Sequence, residues 1–268
     1  MQTRTAVRPR GAADGWVRAP LAVALVINAV LVLAAPGLRP VWAALGTGRT
    51  ATGTPAVGTC DNVYFPVTLD IKREYRTSYA SGGVPPVTHV ETFRAITAES
   101  FTQRLEFTDG APAVEQVWNC GGDGLISSHH GGNGAPGGRL KIETIKRQGI
   151  TIPAADQWRV GKRWESAHDL RSTPVVAAAR DGKVGGTEGK IVIASEIVAH
   201  ESVTTAAGTF DALKVRFTVD QEVTVAMRGS SFPVKSAFRG FSWYAKDVGL
   251  VKTVVENLTT TELVSVTK

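Results

Sequence analysis

The strongest pattern of apolar and polar positions lies between residues 213 and 227 and has the two-residue period of a half-buried β-strand. The apolar positions of this pattern are Leu213, Val215, Phe217, Val219, Val223, Val225 and Met227. Fifteen residues in phase would extend ~50 Å at ~3.3 Å each, which is longer than an ordinary strand. We therefore expect either a bend at residues 220–222 or a strongly curved strand.

Shorter alternations of the same period occur at residues 102–107, 190–203 and 259–266. The best helical signal is residues 173–180, where a Thr-Pro pair precedes the sequence VVAAAR. Strands joined by glycine-rich turns predict a mainly β fold, an antiparallel curved sheet built as a sandwich or a half-barrel.

A sequence pattern that occurs twice in the chain predicts two lobes. Trp118 and Trp243 are each followed six residues later by Gly-Leu and a branched aliphatic residue, which is typical of a hairpin. Residues 129–139 are too rich in glycine to form the interior of a strand or helix. We place the boundary there, between an N-terminal lobe at 60–128 and a C-terminal lobe at 140–268.

The first 43 residues have the order of an export leader. Four arginines precede an uncharged apolar run at residues 19–38, which predicts an N-terminal hydrophobic helix. The segment is either a cleaved signal peptide or a retained anchor in the cytoplasmic membrane. Residues 44–59 are small, rich in Gly and Thr, and read as a flexible linker. Both outcomes place the β lobes in the cell envelope or outside the cell.

The formal net charge of +6 is distributed unevenly along the chain. Five arginines against one aspartate give +4 to the leader and leave +2 for the rest. The basicity therefore reflects export, and it gives no support to nucleic-acid binding.

The chain has two cysteines, Cys60 and Cys120. In an oxidising compartment we expect them to form a disulfide, which stabilises the fold by ~4 kcal/mol in the chain-entropy model, less any strain. Two buried thiols or one reactive cysteine are the alternatives.

The segments that resemble catalytic or cofactor-binding motifs lack the residues or the spacing that those motifs require. The GxGxxG match at 132–137 lacks the helix that must follow it, and the segment at 185–191 has the wrong spacing for a phosphate loop. His129 and His130 are adjacent, without the spacing of a metal site. We expect no metal, no cofactor and no catalytic residues.

Five aromatic residues remain as candidates for binding. In a curved sheet, large rings could line an apolar pocket, or they could simply fill the core. These residues are Trp118, Trp158, Trp164, Trp243 and Tyr244.

Four segments carry a resemblance: CDNVYFPV at 60–67, WNCGGDGL at 118–125, AGTFDALKV at 207–215 and WYAKDVGLVK at 243–252. They resemble an uncharacterised family of exported bacterial proteins, TapB-like and related to domains of unknown function. The resemblance implies a β-rich extracytoplasmic domain, distantly similar to the half-barrels that carry lipoproteins and lipids across the periplasm.

Together these observations predict a non-enzymatic envelope protein that binds an apolar ligand such as a lipid, or a protein partner of the envelope, on its curved sheet. The alternative is a purely structural or interaction module at the cell surface. A hydrolase with dispersed acidic residues is the third hypothesis.

Overall fold

The structure is a computed structural model that describes residues 60–128, 140–174, 187–227 and 230–268. The leader at 1–43, the linker at 44–59 and the glycine-rich loop at 129–139 lie outside the described residues. In the described part of the chain, no helix is long and apolar enough to cross a membrane.

The described residues form thirteen strands and one short 3₁₀ helix, Ala155–Gln157. The strands are β1 Lys72–Tyr79, β2 Val87–Arg94, β3 Ser100–Phe107, β4 Val114–Gly121, β5 Gly124–Ser127, β6 Leu140–Gly149, β7 Ile152–Pro153, β8 Arg163–Pro174, β9 Thr187–Thr205, β10 Gly208–Met227, β11 Ser230–Ala245, β12 Gly249–Val255 and β13 Thr259–Thr267.

All strands belong to one antiparallel sheet, in the order β6-β8-β9-β10-β11-β12-β13-β1-β2-β3-β4-β5-β7. The pairing of β13 with β1 joins the two halves of the sequence within this sheet. The predicted mainly β fold and its curved antiparallel sheet are confirmed. The division into two lobes stays a prediction.

The sheet is curved but not closed, and its two edges meet at one point. Edge strands β6 and β7 are separated by only two residues in the chain. The Ile150 amide donates to Glu165 O in β8 at 3.0 Å, and the Thr151 amide donates to Leu125 O in β5 at 2.9 Å. This short connection is hydrogen-bonded to β8 and to β5, which are the strands next to the two edges. The sheet must therefore curl around an interior.

The long strand predicted at 213–227 lies within β10 and curves without a bend at 220–222. Residues 220–222 stay in register with both β9 and β11. The register shifts instead between Lys214 and Val215, where a β-bulge adds local twist. The other three predicted alternations also fall within strands, β3, β9 and β13.

Both predicted hairpins are confirmed as β4–β5 and β11–β12. Gly249 begins β12 with φ 99°, a backbone conformation that L side chains rarely adopt. The helix expected at 173–180 is wrong at its start, because Thr173 and Pro174 lie in β8, paired with β6. Its remaining residues lie outside the described part.

Candidate functional site

The interior of the curved sheet holds four of the five aromatic residues predicted to bind a ligand. Trp118, Trp158, Trp164 and Tyr244 belong to one apolar cluster. The Trp158 ring lies 6.2 Å from Trp164 and 5.1 Å from Tyr244, measured between centroids. Trp118 is completely buried. The structure therefore brings these four together inside the sheet.

Trp243 lies in a different cluster, although it precedes Tyr244 in the same strand. Its indole Nε1 donates to Glu201 Oε1 at 2.7 Å, and the Lys214 ammonium lies 5.0 Å from its ring centroid. The bond from Trp243 and a second from Lys214 lower the pKa of the Glu201 carboxyl. Trp243 is thus separate from the interior group, because neighbouring residues of a strand point to opposite faces.

The N-terminal segment, residues 60–71, fills the interior between these aromatic residues. Phe65 packs with its centroid 5.1 Å from Trp118, 6.0 Å from Phe93 and 6.2 Å from Phe101. Tyr64 stacks on Trp158 at 4.7 Å. Two rings of the N-terminal segment therefore pack directly on Trp118 and Trp158, two of the candidate binding residues.

Four further contacts hold the N-terminal segment in place. A disulfide joins Cys60 to Cys120 of β4, with 5.0 Å between the Cα atoms. Asn62 donates through Nδ2 to Pro153 O at 2.8 Å and accepts from the Tyr64 amide at 3.0 Å. In addition, the Asp247 amide donates to Val63 O at 2.6 Å. Bonds from three separate parts of the sheet therefore converge on this segment.

A buried polar chain begins at the end of the N-terminal segment. Arg73, 2% exposed, donates to Pro66 O at 2.7 Å and to Val248 O at 2.7 Å. Its Nη1 also pairs with Glu91 Oε1 at 2.8 Å, and the other Glu91 oxygen accepts from Gln103 Nε2. Gln103 Oε1 accepts from Trp118 Nε1 at 3.0 Å. The buried charge is thus paired and hydrogen-bonded, as burial requires.

Next to this chain lies a buried histidine. His89 is 4% exposed and stacks on Tyr75 with 5.3 Å between centroids. Burial disfavours its charged form and lowers the pKa of His89 to about 4. The Tyr75 hydroxyl donates to Leu250 O at 2.8 Å, and burial raises the Tyr75 pKa well above its usual range.

A small cavity of about 50 Å³ remains inside the sheet. Its walls are rich in hydroxyl groups, with Trp164 and Tyr244 among the apolar contributors. The lining residues are Gln116, Ser127, Thr151, Trp164, Ser166, His168, Ile193, Ser195, Val215, Phe217, Ser242, Tyr244, Leu250 and Thr253. A volume of this size holds a few water molecules.

The outward-facing side chains form cross-strand ion pairs. Glu196 accepts from Arg163 at 3.1 Å and from Arg216 at 2.6 Å, and these bonds lower the pKa of its carboxyl. An open groove of about 400 Å³ on β9–β11 is lined by charged residues such as Glu222 and Lys235, which pair at 3.1 Å. These exposed pairs keep the outer face solvated and contribute little to stability.

Among the described residues, no three His, Cys, Asp or Glu side chains are grouped to hold a metal ion. His129 and His130 lie outside the described part.

Sequence reasoning missed the N-terminal segment as an interior element and missed the polar chain from Arg73 to Trp118. The segment CDNVYFPV has no strand or helix period, so no element was predicted for it. Arg73 and Glu91 share parity with the buried positions of β1 and β2, and this parity was the available signal.

The fold and its interior define a class: an antiparallel β protein with one curved sheet, packed on the inside by its own N-terminal segment. The model of a family described as DUF3108-like matches residues 187–266, which span β9 to β13. No curated protein matches the chain.

Two solved structures are similar to the chain. One is a protein of Bacteroides fragilis described as exported and with a YmcC-like fold; it is 14% identical, with a TM-score of 0.49, over 78% of this chain and 100% of its own. The other is a protein of Parabacteroides distasonis described as a lipoprotein; it is 15% identical, with a TM-score of 0.41, over 76% of this chain and 98% of its own.

Proposed function

We propose that this protein is a non-enzymatic structural or interaction module of the bacterial cell envelope, with an interior that is filled by its own chain. The observation that carries the proposal is the position of Tyr64 and Phe65 among the interior aromatic residues. Because these two rings pack on the interior aromatic residues, the described part of the chain offers its outer face and edges to a partner.

Location in the envelope is supported by the sequence. The export leader at residues 1–43 would carry the folded part out of the cytoplasm. The disulfide between Cys60 and Cys120 suits an oxidising compartment. The resemblance of four segments to TapB-like exported proteins supports the same location.

The absence of catalysis is supported by the environment of the acidic groups. Among the described residues, the carboxylate of Glu91 is buried and is bound by Arg73 and Gln103. Two described carboxyl groups have shifted pKa values, Glu196 and Glu201, and both are shifted downward by cation or indole donors. A general acid at neutral pH requires an upward shift, so neither suits that role.

A second candidate function is the binding of an apolar ligand, as the sequence predicted. It is favoured by the stack of Tyr64 on Trp158, because a planar apolar group could replace the Tyr64 ring there. Such a ligand would have to displace the N-terminal segment, which the disulfide and Asn62 hold in place.

Native mass spectrometry of the protein purified from the envelope, with organic extraction of the same sample, tests the two candidates. The structural module predicts the mass of the polypeptide alone and no stoichiometric lipid in the extract. Titration with a fluorescent fatty acid should show no saturable binding. One bound apolar molecule per chain would replace the first candidate with the second.

A further inference from the structure

The small interior cavity is lined by neutral hydrogen-bonding groups. Of the described residues that line it, six are serine or threonine and none is Asp, Glu, Lys or Arg. These groups come from β4, β5, β8, β9, β11 and β12 and from the Ile150–Thr151 connection, so the sheet must curl fully for them to meet.

Two of the lining residues, Ser166 and Thr151, carry hydroxyl groups that can donate as well as accept a hydrogen bond. Ser166 is 4% exposed. Thr151 Oγ1 accepts from the Ser127 amide at 3.1 Å and keeps its own proton to donate. Both residues can therefore bind a further partner inside the cavity.

The cavity also separates two apolar clusters. Val215 and Tyr244 belong to the cluster around Phe65, and Phe217 belongs to a second cluster around Ile191 and Val219. All three line the cavity. The interior is therefore divided into two apolar layers by a polar one, and a long alkyl chain could not pass between the layers without burying hydroxyl groups.

The hydroxyl groups of Ser242 and Thr253 are hydrogen-bonded to each other at 3.0 Å in the cavity wall. We infer that this cavity is an internal binding site for neutral hydrogen-bonding molecules, occupied by a cluster of water that bridges Ser166, Thr151, Ser195 and this Ser242–Thr253 pair. One water needs ~10 to 15 Å³ and two to four polar partners. The cavity of about 50 Å³ therefore holds about three to five waters. Bridging waters of this kind are nearly as favourable as direct hydrogen bonds.

The same walls select against ions and against apolar atoms. An ion would lose its hydration shell without gaining an opposite charge. His168, the titratable imidazole in the lining, has a pKa lowered mainly by burial, which keeps it neutral at pH 7. An apolar atom would displace water and leave the Ser166 hydroxyl without a partner.

Crystals of the protein, studied at high resolution and after separate exposure to xenon and to iodide, test this inference. We expect ordered water within hydrogen-bond distance of Ser166 and Thr151, and neither xenon nor iodide in the cavity. Xenon bound there would show a dry apolar cavity, iodide would show an anion site, and the lack of any ordered water would equally overturn the inference.

A matched pair of variants sharpens the test. Ser166→Val with Ser195→Val removes two hydroxyl groups and should lose the water bridging them while gaining xenon binding. Ser166→Thr keeps its hydroxyl and should retain the water and exclude xenon. Water unchanged in the double variant would contradict the assignment of these two residues, and the wild-type crystals test the site even where the variant fails to fold. The result is independent of whether the proposed structural role is correct.

Discussion

Phe65 and Trp118 pack with 5.1 Å between their ring centroids, which places the N-terminal segment against strand β4 of the sheet. Trp118 is fully buried and also stacks on Phe101 at 5.8 Å. The segment is thus a part of the hydrophobic core.

Replacing Phe65 with alanine should lower the free energy of unfolding by about 3 to 5 kcal/mol, because it removes a buried ring and leaves a cavity. Chemical denaturation monitored by tryptophan fluorescence measures this change. Leu69→Ala is the matched control: Leu69 belongs to the same segment but is 63% exposed, and its loss should cost less than about 0.5 kcal/mol. Equal effects of the two variants would show that Phe65 is not in the core.

The folded protein should show no free thiol before reduction, because Cys60 and Cys120 are paired. Alkylation under denaturing conditions, with and without a reductant, counts the thiols. Reduction should lower stability by about 4 kcal/mol in the chain-entropy model. Two alkylated cysteines in the unreduced sample would refute the pairing.

Removing one partner of the buried Arg73–Glu91 ion pair should lower the free energy of unfolding strongly. Replacing both partners with apolar residues should lower it much less. Glu91→Gln leaves the Arg73 guanidinium buried without its counter-charge, so we expect a loss of about 3 to 5 kcal/mol. Arg73→Met combined with Glu91→Leu should recover much of it. The exposed pair Arg171–Glu188 serves as control and should contribute less than about 1 kcal/mol. Additive losses at Arg73 and Glu91 in a double-mutant cycle would argue against their coupling.

Acid should destabilise the protein partly through His89. Its pKa is about 4 in the folded state and ~6.5 when unfolded, so the unfolded state binds the extra proton in this range. The contribution is complete above pH ~6.5 and is lost as the pH falls toward 4, at up to ~1.4 kcal/mol per pH unit. Below pH 4 it adds no further slope.

Unfolding measured between pH 4 and 7 tests this contribution. His89→Phe should flatten the slope, because it removes the buried imidazole. His168 also has a lowered pKa and contributes in the same direction, so the His89 variant should retain part of the slope. An unchanged slope in His89→Phe would contradict the assignment.

Local patterns in the sequence predicted strands β3, β9, β10 and β13 and the two hairpins. Contacts between distant residues account for much of what the sequence did not predict. The alternation in β10 depends only on its own residues, so the strand could be predicted from sequence. The register that opposes Arg73 to Glu91 depends on how β1 meets β2, which no local pattern specifies.

The candidate aromatic residues show the same limit. A place in the core was one of the two alternatives for them, and the alternation of a strand could have separated Trp243 from Tyr244. The place of Tyr64 and Phe65 could not be predicted, because it depends on the curl of the whole sheet around a segment without periodicity.

Amide hydrogen exchange at Tyr64 and Phe65 tests most directly whether the N-terminal segment fills the interior. Both amides are hydrogen-bonded within the segment, to Asn62 Oδ1 at 3.0 Å and Asn62 O at 2.9 Å. If the segment is core, the two amides should be protected to about the same degree as those of β10. Exchange at the rate of an unfolded chain, with β10 still protected, would contradict the account.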